Sequence, residues 1–182
     1  MSPPPLRAAV GITAILSCAL YLAADAWEIA SGQFLLVQLW LTYAAFVAVP
    51  FFMLGLHALQ GSRGGVASLT GAVAYGVAFV FYAGTALYAV VSGTEDYATL
   101  VRELGLAYPL HGVLTIGGAV LFGWSVARAG VFPRWTGIVL AVGGALALLL
   151  FAAGAPPIAQ VAGNTLRNVA FIGMAIAALR AR

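Results

Sequence analysis

Charge is what this sequence has least of. Only 7% of its 182 residues are charged, whereas soluble domains carry roughly a quarter. Hydrophobic residues make up 63% of the chain, and the mean hydropathy is +1.05. Such a chain cannot cover a surface that faces water, so the composition excludes a soluble protein and leaves no stretch for a separate soluble domain.

Lysine is absent, and cysteine and histidine are scarce. A single cysteine, Cys18, excludes an internal disulfide and any paired-cysteine redox or zinc motif. His57 and His111 lie far apart in the sequence, so we expect no metal site and no cofactor. The cations are all arginines scattered along the chain, which indicates a role in membrane topology and no nucleic-acid partner.

The sequence instead contains long apolar runs that lack the alternation of polar and apolar residues typical of β-strands. Backbone polar groups in lipid must be satisfied within the segment, which favours helices, and about 20 apolar residues cross the hydrocarbon core. We therefore predict an all-α, six-span transmembrane bundle that forms one domain over residues 1–182. The predicted spans are 6–27, 34–57, 65–91, 110–129, 136–153 and 157–179.

The charges separate cleanly on this six-span arrangement. Arginines gather at the end that holds both termini: Arg7, Arg63, Arg128, Arg134, Arg180 and Arg182. The acidic residues gather at the other end, joined only by Arg102: Asp25, Glu28, Glu95, Asp96 and Glu103. Cytoplasmic loops carry an excess of arginine and lysine, so we predict cytoplasmic termini and a multi-pass protein of the plasma (inner) membrane.

A cleaved signal peptide over residues 1–26 is the alternative for the first span, because "LAADA" loosely resembles a cleavage site. Cleavage would leave five spans. The apolar run 8–24 is long for a signal peptide, and a single arginine, Arg7, follows three prolines, which favours a retained helix.

The outer loop between spans three and four, 94–109, predicts a short amphipathic helix. Thr94 can cap its N-terminus. Apolar residues then recur with helical spacing: Tyr97, Leu100, Val101 and Leu104. We expect this helix to rest on the outer membrane surface as a connector, with a lid over a cavity as the alternative.

Polar residues on the last span form one stripe. Gln160, Asn164, Arg167 and Asn168 share a helical face. Arg167 lies about 15 Å from the outer end of the span, near the bilayer midplane, where an arginine costs about 2.5–3.5 kcal/mol. Such a residue faces the bundle interior or water and has a partner.

The first span carries a matching stripe of Ser17, Tyr21, Asp25 and Glu28. Asp25 is the obvious counter-ion for Arg167, although the two Cα atoms differ by about 10 Å in height. Outward snorkelling of the arginine and a water-filled pocket would close that gap.

Other polar or aromatic side chains fall at a similar depth, whereas the fifth span has none that is polar. The pattern predicts an outward-open chamber lined by spans one, two, three, four and six. The candidate ligand-binding residues are Tyr21, Gln38, Trp40, Thr42, Tyr82, Thr115, Gln160, Asn164, Arg167 and Asn168. A purely structural role is the alternative, because amides inside membranes often only join helices, at about 0.6 kcal/mol per hydrogen bond.

Glycine pairs on the fourth and fifth spans predict close helix packing, since small residues allow backbones to approach. These pairs are Gly117-Gly118 and Gly143-Gly144.

The last third of the chain resembles a family of bacterial six-helix integral membrane proteins that carry a Pro-Arg-Trp turn between their fourth and fifth spans. The residues of this turn are Pro133-Arg134-Trp135. The resemblance implies the six-span bundle and no particular chemistry.

Three classes of function fit these residues. The first is a protein that binds a small or lipid-like amphiphile in its chamber, with Arg167 pairing an anionic or carbonyl group, and that could also form a homo-oligomer. The second is a membrane-embedded acid–base enzyme, an isomerase or cyclase of isoprenoids or lipids, in which Asp25 or Glu28 supplies a proton. In that case His111 shuttles protons, and Tyr82 with Trp40 flanks a cationic intermediate. A small transporter or accessory subunit is the third class, which lacks visible inverted repeats.

Overall fold

The computed structural model describes residues 4–155 and 157–181, without the side chains of residues 4, 148 and 157–160. These residues form seven α-helices and a short 3-10 turn, Gly61–Arg63. The helices are α1 (Pro4–Ser31), α2 (Leu36–Gln60), α3 (Gly65–Ser92), α4 (Tyr97–Leu104), α5 (Ala107–Ala129), α6 (Arg134–Ala152) and α7 (Pro157–Arg180). Six of them, all except α4, are long and apolar enough to cross a membrane, which confirms the predicted all-helical, six-span class.

The six long helices form a closed ring in chain order. α1 packs on α2, α2 on α3, α3 on α5, α5 on α6 and α6 on α7, and α7 returns to α1. Antiparallel neighbours joined by short loops are the ordinary result when consecutive helices pack side by side. The two polar stripes lie on α1 and α7, which the ring closure brings together.

The outer surface of the ring is apolar. Val91 is 87% exposed, Val66 81% and Phe51 70%, and they lie on helices that cross the membrane. A large exposed apolar surface is unfavourable in water and natural in lipid. The chain is therefore a multi-pass membrane protein.

Side chains fill the half of the ring that holds both ends of the described chain. Phe52, Met53, Leu56, Phe122 and Met174 are essentially inaccessible and belong to one hydrophobic core. The guanidinium of Arg7 donates a hydrogen bond of 2.6 Å to the carbonyl oxygen of Ala181, which holds the two ends of the chain together. Which side of the membrane they face stays a prediction.

Close contact between α3 and α5 depends on two glycines. A Cβ atom at Gly71 would lie 2.6 Å from the backbone nitrogen of Phe122, and one at Gly118 would lie 2.7 Å from that of Tyr75. Neighbouring Gly117 has no atom within 4 Å of its Cβ position. Of the predicted pair Gly117-Gly118, only Gly118 is therefore needed for the packing of α3 on α5.

The short helix α4 begins at a different cap from the one expected. Asp96 is the N-cap and accepts a hydrogen bond of 2.7 Å from the amide of Thr99. Thr94, the expected cap, instead donates to the carboxylate of Glu103 at 3.1 Å. Asp96 takes this place because its carboxylate reaches the exposed N–H groups of the first turn, and the expectation for Thr94 was wrong.

The apolar side of α4 is turned toward the bundle. Leu100 is 4% exposed and packs with Leu39 of α2 and Ala89 of α3. The loop before α2 is tied to the loop before α4, because the amide of Phe34 donates to the carbonyl oxygen of Glu95 at 2.8 Å. The position of α4 relative to the membrane surface stays a prediction.

Candidate functional site

A cavity of about 590 Å³ occupies the half of the ring away from the chain ends. All six long helices contribute to its wall, and α4 lies against it. Most of the residues singled out in the sequence border this cavity: Tyr21, Asp25, Glu28, Gln38, Thr42, Tyr82, Thr115, Asn164 and Arg167. The ring closure and the uneven filling of its interior bring them together.

Arg167 borders the cavity from α7 and is only 7% exposed. Its Nη2 atom donates a hydrogen bond to the side-chain oxygen of Asn164, and the Nδ2 atom of Asn164 donates to the carboxylate of Asp25 at 3.3 Å. The expected direct pair of Arg167 with Asp25 is therefore replaced by a bridge through a neutral amide. Arg167 Nε is buried without a hydrogen-bond partner among the described residues.

Glu28 belongs to a second polar group, which joins α1 to α2. The side-chain amide of Gln38 donates to the Glu28 carboxylate and to the hydroxyl of Thr42, both at 3.3 Å. Gln38 is 2% exposed, and its own amide oxygen has no partner in the described part of the chain. Since the carboxylate only accepts hydrogen bonds, the amide must turn its nitrogen toward Glu28.

The threonines around the cavity use their hydroxyl protons within their own helices. Thr42 donates to the carbonyl oxygen of Gln38 at 3.0 Å, Thr85 to that of Tyr82 at 2.8 Å, and Thr115 to that of His111 at 2.8 Å. This bonding to the preceding turn is common for threonine in helices. Each hydroxyl then acts only as an acceptor for other groups, because it has a single proton, and that of Thr42 already accepts from Nε2 of Gln38.

Aromatic rings form the rest of the wall in a nearly continuous series. Tyr21 meets Phe46 edge-on with centroids 4.9 Å apart, and Phe46 meets Phe79 at 5.1 Å. Phe79 meets Tyr82 at 5.6 Å, and Tyr82 meets Tyr108 at 5.3 Å. Such edge-to-face pairs stabilise one another by about 0.5–1.5 kcal/mol beyond their burial, so the wall is a defined surface.

Two tyrosines of this wall were absent from the predicted set. Tyr97 of α4 and Tyr108 of α5 both border the cavity and pack edge-on at 5.7 Å. Burial raises the pKa of the Tyr97 hydroxyl above its usual value, so this residue presents a neutral phenol to the cavity. The sequence marks Tyr97 only as part of an apolar stripe, and Tyr108 resembles any tyrosine at a membrane interface.

Three of the predicted residues with described side chains do not border the cavity: Trp40, His111 and Asn168. Trp40 is 47% exposed on the outside of α2 and packs on Tyr43. The ring of His111 stacks on Phe81 at 3.7 Å, and its Nδ1 atom bonds the carbonyl oxygen of Ala107 at 2.8 Å. Helical rotation turns Trp40 outward, and stacking holds His111 beside the wall, so the expected cavity positions of both were wrong.

Asn168 borders a separate, much smaller void of about 10 Å³ that lies next to Arg167. It is 4% exposed, and its Nδ2 atom has no partner among the residues described. Ser17, on the α1 stripe, also borders this void, and its hydroxyl donates to the carbonyl oxygen of Ala45 at 2.8 Å. The side chain of Gln160 falls outside the described part of the structure.

The side of the cavity that α6 forms is apolar, as the sequence of this helix indicates. Ala147 and Phe151 of α6 border the cavity, and they close the gap between α5 and α7. No cluster of His, Cys, Asp or Glu side chains suited to a metal ion occurs among the described residues. The cavity therefore combines one guanidinium, three carboxylates (Asp25, Glu28 and Asp96) and several hydrogen-bond acceptors with an aromatic wall.

Comparison with known proteins does not extend this description. No family model matches the chain, and neither the curated proteins nor the solved structures include a match. The residues of the cavity and their geometry are thus the grounds for a functional proposal.

Proposed function

We propose that this protein resides in the plasma membrane and binds a small or lipid-like amphiphile in its intramembrane cavity. In this proposal the termini face the cytoplasm and the cavity opens toward the outside. Ligand sites are mostly apolar hollows with a few well-placed polar groups, commonly of about 300–1,000 Å³. The cavity of about 590 Å³ has that size and composition.

The observation that carries the proposal is the position of Arg167. The residue is 7% exposed, borders the cavity and has a neutral amide as the acceptor for its Nη2 atom. A charge inside a membrane protein is costly and usually marks a functional or water-filled place. Arg167 supports ligand binding more than packing, because the space beside it is open.

The two sides of the cavity suit the two parts of an amphiphile. Polar groups of α1, α2 and α7 can hold a polar head group: Asp25, Glu28, Gln38, Asn164 and Arg167. Phe46, Phe79 and Phe151 offer an apolar wall for the rest of the molecule. Because lipid tails are as apolar as such a wall, the preference of the ligand for the cavity comes from the polar groups and the shape of the cavity.

Filling the cavity without replacing any of its polar side chains tests the proposal. A Cβ atom at Gly112, which borders the cavity, meets only the hydroxyl of Tyr82 at 3.6 Å, so Gly112→Leu places its side chain in the hollow. Gly117→Leu makes the same change on the same helix, where a Cβ meets nothing within 4 Å. Mass spectrometry of extracts from the purified proteins reports the molecules that accompany each variant.

We expect an enriched small molecule or lipid with the unaltered protein and with Gly117→Leu, and its loss with Gly112→Leu. Arg167→Ala should also change the amount of that molecule if the variant folds, because it removes the one guanidinium that borders the cavity. An identical ligand profile for the unaltered protein and Gly112→Leu would count against binding in this cavity.

An acid–base enzyme acting on an isoprenoid or lipid is the second candidate. Two carboxylates, Asp25 and Glu28, border the same cavity as aromatic rings that could stabilise a cationic intermediate. His111 and Trp40, which the sequence suggested for this chemistry, lie elsewhere. The enzyme candidate requires that Asp25→Asn and Glu28→Gln abolish conversion of the co-purified molecule while the protein still folds and binds it.

A further inference from the structure

We infer that the head group held in this cavity is a protonated primary amine, an inference that rests on the proposed function. Three features of the described residues support it: an uncompensated carboxylate at Glu28, hydrogen-bond acceptors beside that carboxylate, and an aromatic wall.

The charges around the cavity do not balance. Asp25 is coupled to Arg167 through Asn164, so this pair is neutral overall. Asp96, which also borders the cavity, is the N-cap of α4 and accepts from the amide of Thr99. Glu28 accepts from the neutral amide of Gln38 and has no ion pair with any cation in the described part of the chain. A half-buried carboxylate without a cation loses hydration that nothing replaces, and a ligand ammonium group would supply the missing charge.

The amide donors beside Glu28 are already used: those of Gln38 and Asn164 go to Glu28, Thr42 and Asp25. The buried donor without a partner in the described part of the chain, Arg167 Nε, belongs to the α7 side of the cavity. The threonine hydroxyls have given their protons to their own helices, and they remain as acceptors around the cavity.

The amide oxygen of Gln38 is a further acceptor without a partner, at a residue that is 2% exposed and borders the cavity. It is bonded to the same carbon as the nitrogen that contacts Glu28, so both acceptors lie side by side. A ligand ammonium that takes over the contact with Glu28 releases the amide of Gln38, and rotation about the last torsion of glutamine, which is broad, then turns this oxygen toward the ligand. The cavity therefore suits a ligand that brings several N–H donors.

The aromatic wall favours a cation, and the hydrogen-bond acceptors determine which kind of ammonium group fits. Tyr21, Tyr97 and Tyr108 border the cavity with Glu28, and ring faces attract ammonium groups by about 0.5–2 kcal/mol. A quaternary ammonium would be attracted equally but has no N–H group for Glu28 and Gln38. A primary ammonium satisfies both the charge and the acceptors.

Amphiphiles of one chain length and different head groups test this inference on the unaltered protein in maltoside micelles. The probes are dodecylamine, dodecyltrimethylammonium, dodecanol and dodecanoate, with butylamine as a short amine. Thermal unfolding followed across a range of probe concentrations gives the dissociation constants, since ligands that bind the folded state raise Tm. We expect dodecylamine to bind about tenfold or more tightly than dodecanol, dodecyltrimethylammonium to lie between them, and dodecanoate to bind most weakly.

A matched pair of variants assigns the effect to Glu28. Glu28→Gln should reduce dodecylamine affinity about tenfold and leave dodecanol affinity unchanged. Glu95→Gln makes the same charge change on an exposed loop residue that does not border the cavity, and it should change neither affinity. The comparison among probes needs no substitution, so it remains decisive even if Glu28→Gln does not fold.

Dodecanol or dodecanoate binding as tightly as dodecylamine would overturn the amine assignment and leave amphiphile binding intact. If none of the five probes binds, both this inference and the proposed function are overturned. A dissociation constant for butylamine equal to that for dodecylamine would identify a free amine as the ligand. Much weaker binding of butylamine would identify a lipid-like amine. Either result supports the ammonium site.

Discussion

Arg167 donates a hydrogen bond to the side-chain oxygen of Asn164, which lies one helical turn earlier on α7. Because Asn164 then donates to Asp25 on α1 at 3.3 Å, the guanidinium and the carboxylate are connected without touching. The amide fixes their separation and ties the last helix of the ring to the first. One asparagine therefore links the polar stripes of the last and the first helix beside the cavity.

Removal of the Asn164 amide should destabilise the protein. In Asn164→Leu, both Arg167 and Asp25 lose the partner that joins them, and an unsatisfied buried polar group costs about 1–3 kcal/mol. We expect a lower Tm for this variant in maltoside. Combination with Asp25→Asn should give a coupling energy of about 0.6–1.7 kcal/mol, the range measured for hydrogen bonds in membrane proteins.

Asn168→Leu is the matched control one turn further along α7. The Nδ2 atom of Asn168 is buried without a partner among the described residues, so its replacement by an apolar side chain of similar size should leave Tm unchanged or raise it. Equal destabilisation by Asn164→Leu and Asn168→Leu would contradict a special role for the bridge.

A methyl group at Gly118 should weaken the packing of α3 on α5. Its Cβ atom would lie 2.7 Å from the backbone nitrogen of Tyr75, and the backbone cannot yield as a side chain does. We expect Gly118→Ala to cost about 1–3 kcal/mol, measured as a lower unfolding midpoint. Gly117→Ala, which meets no atom within 4 Å, should keep or raise the midpoint, and the reverse order would show that the helices approach differently.

The cap of α4 should titrate at low pH. The backbone and side-chain hydrogen bonds from Thr99 hold the pKa of Asp96 below its usual value. A carboxyl with a lowered folded-state pKa stabilises the capped helix fully above the unfolded value of about 3.9. That contribution is lost as the pH falls through the lower folded value.

The amide proton of Thr99 reports this titration by nuclear magnetic resonance. Its chemical shift should change with a midpoint below that of an unstructured aspartate. Asp96→Asn keeps an accepting oxygen and cannot titrate, so its Thr99 signal should stay constant over the same range. A midpoint at or above the ordinary aspartate value would argue against the cap.

The orientation of the bundle can be tested by cysteine labelling. The only native cysteine, Cys18, is 1% exposed, and Cys18→Ala gives a protein without a thiol that could react with the label. A membrane-impermeant maleimide should label Glu95→Cys in intact cells and Ser62→Cys only after permeabilisation, because the arginine-rich end is expected inside. Labelling of Ser62→Cys in intact cells would reverse the topology and place the cavity toward the cytoplasm.

The spans could be predicted from the sequence because hydropathy acts over whole segments. The predicted fifth span, 136–153, differs from α6, Arg134–Ala152, by only a few residues. The predicted first span, 6–27, is shorter than α1, Pro4–Ser31, because Glu28 and Asp25 end the apolar run but not the helix. Charged residues that line a cavity inside the ring do not need to lie outside a helix.

The residues that border the cavity could be predicted only where the helical period determined which side of a helix they occupy. Tyr21 and Asp25 are separated by one turn of α1, and both border the cavity. Trp40 follows Gln38 by two residues and therefore points to the opposite side of α2, an outcome that depth alone does not reveal. Tyr97 comes from a loop helix whose packing on α2 and α3 no local pattern specifies.

Six helices that are apolar enough to cross a membrane follow from the sequence alone, because transfer into lipid depends on the summed hydrophobicity of each segment. The sequence also specifies which residues share a face on α1 and on α7, because the helical period is fixed. The return of α7 to α1, the position of Asn164 between Arg167 and Asp25, and the open space beside them are visible only in the folded bundle. Those features depend on side-chain volumes and contacts between distant segments, which no single helix contains.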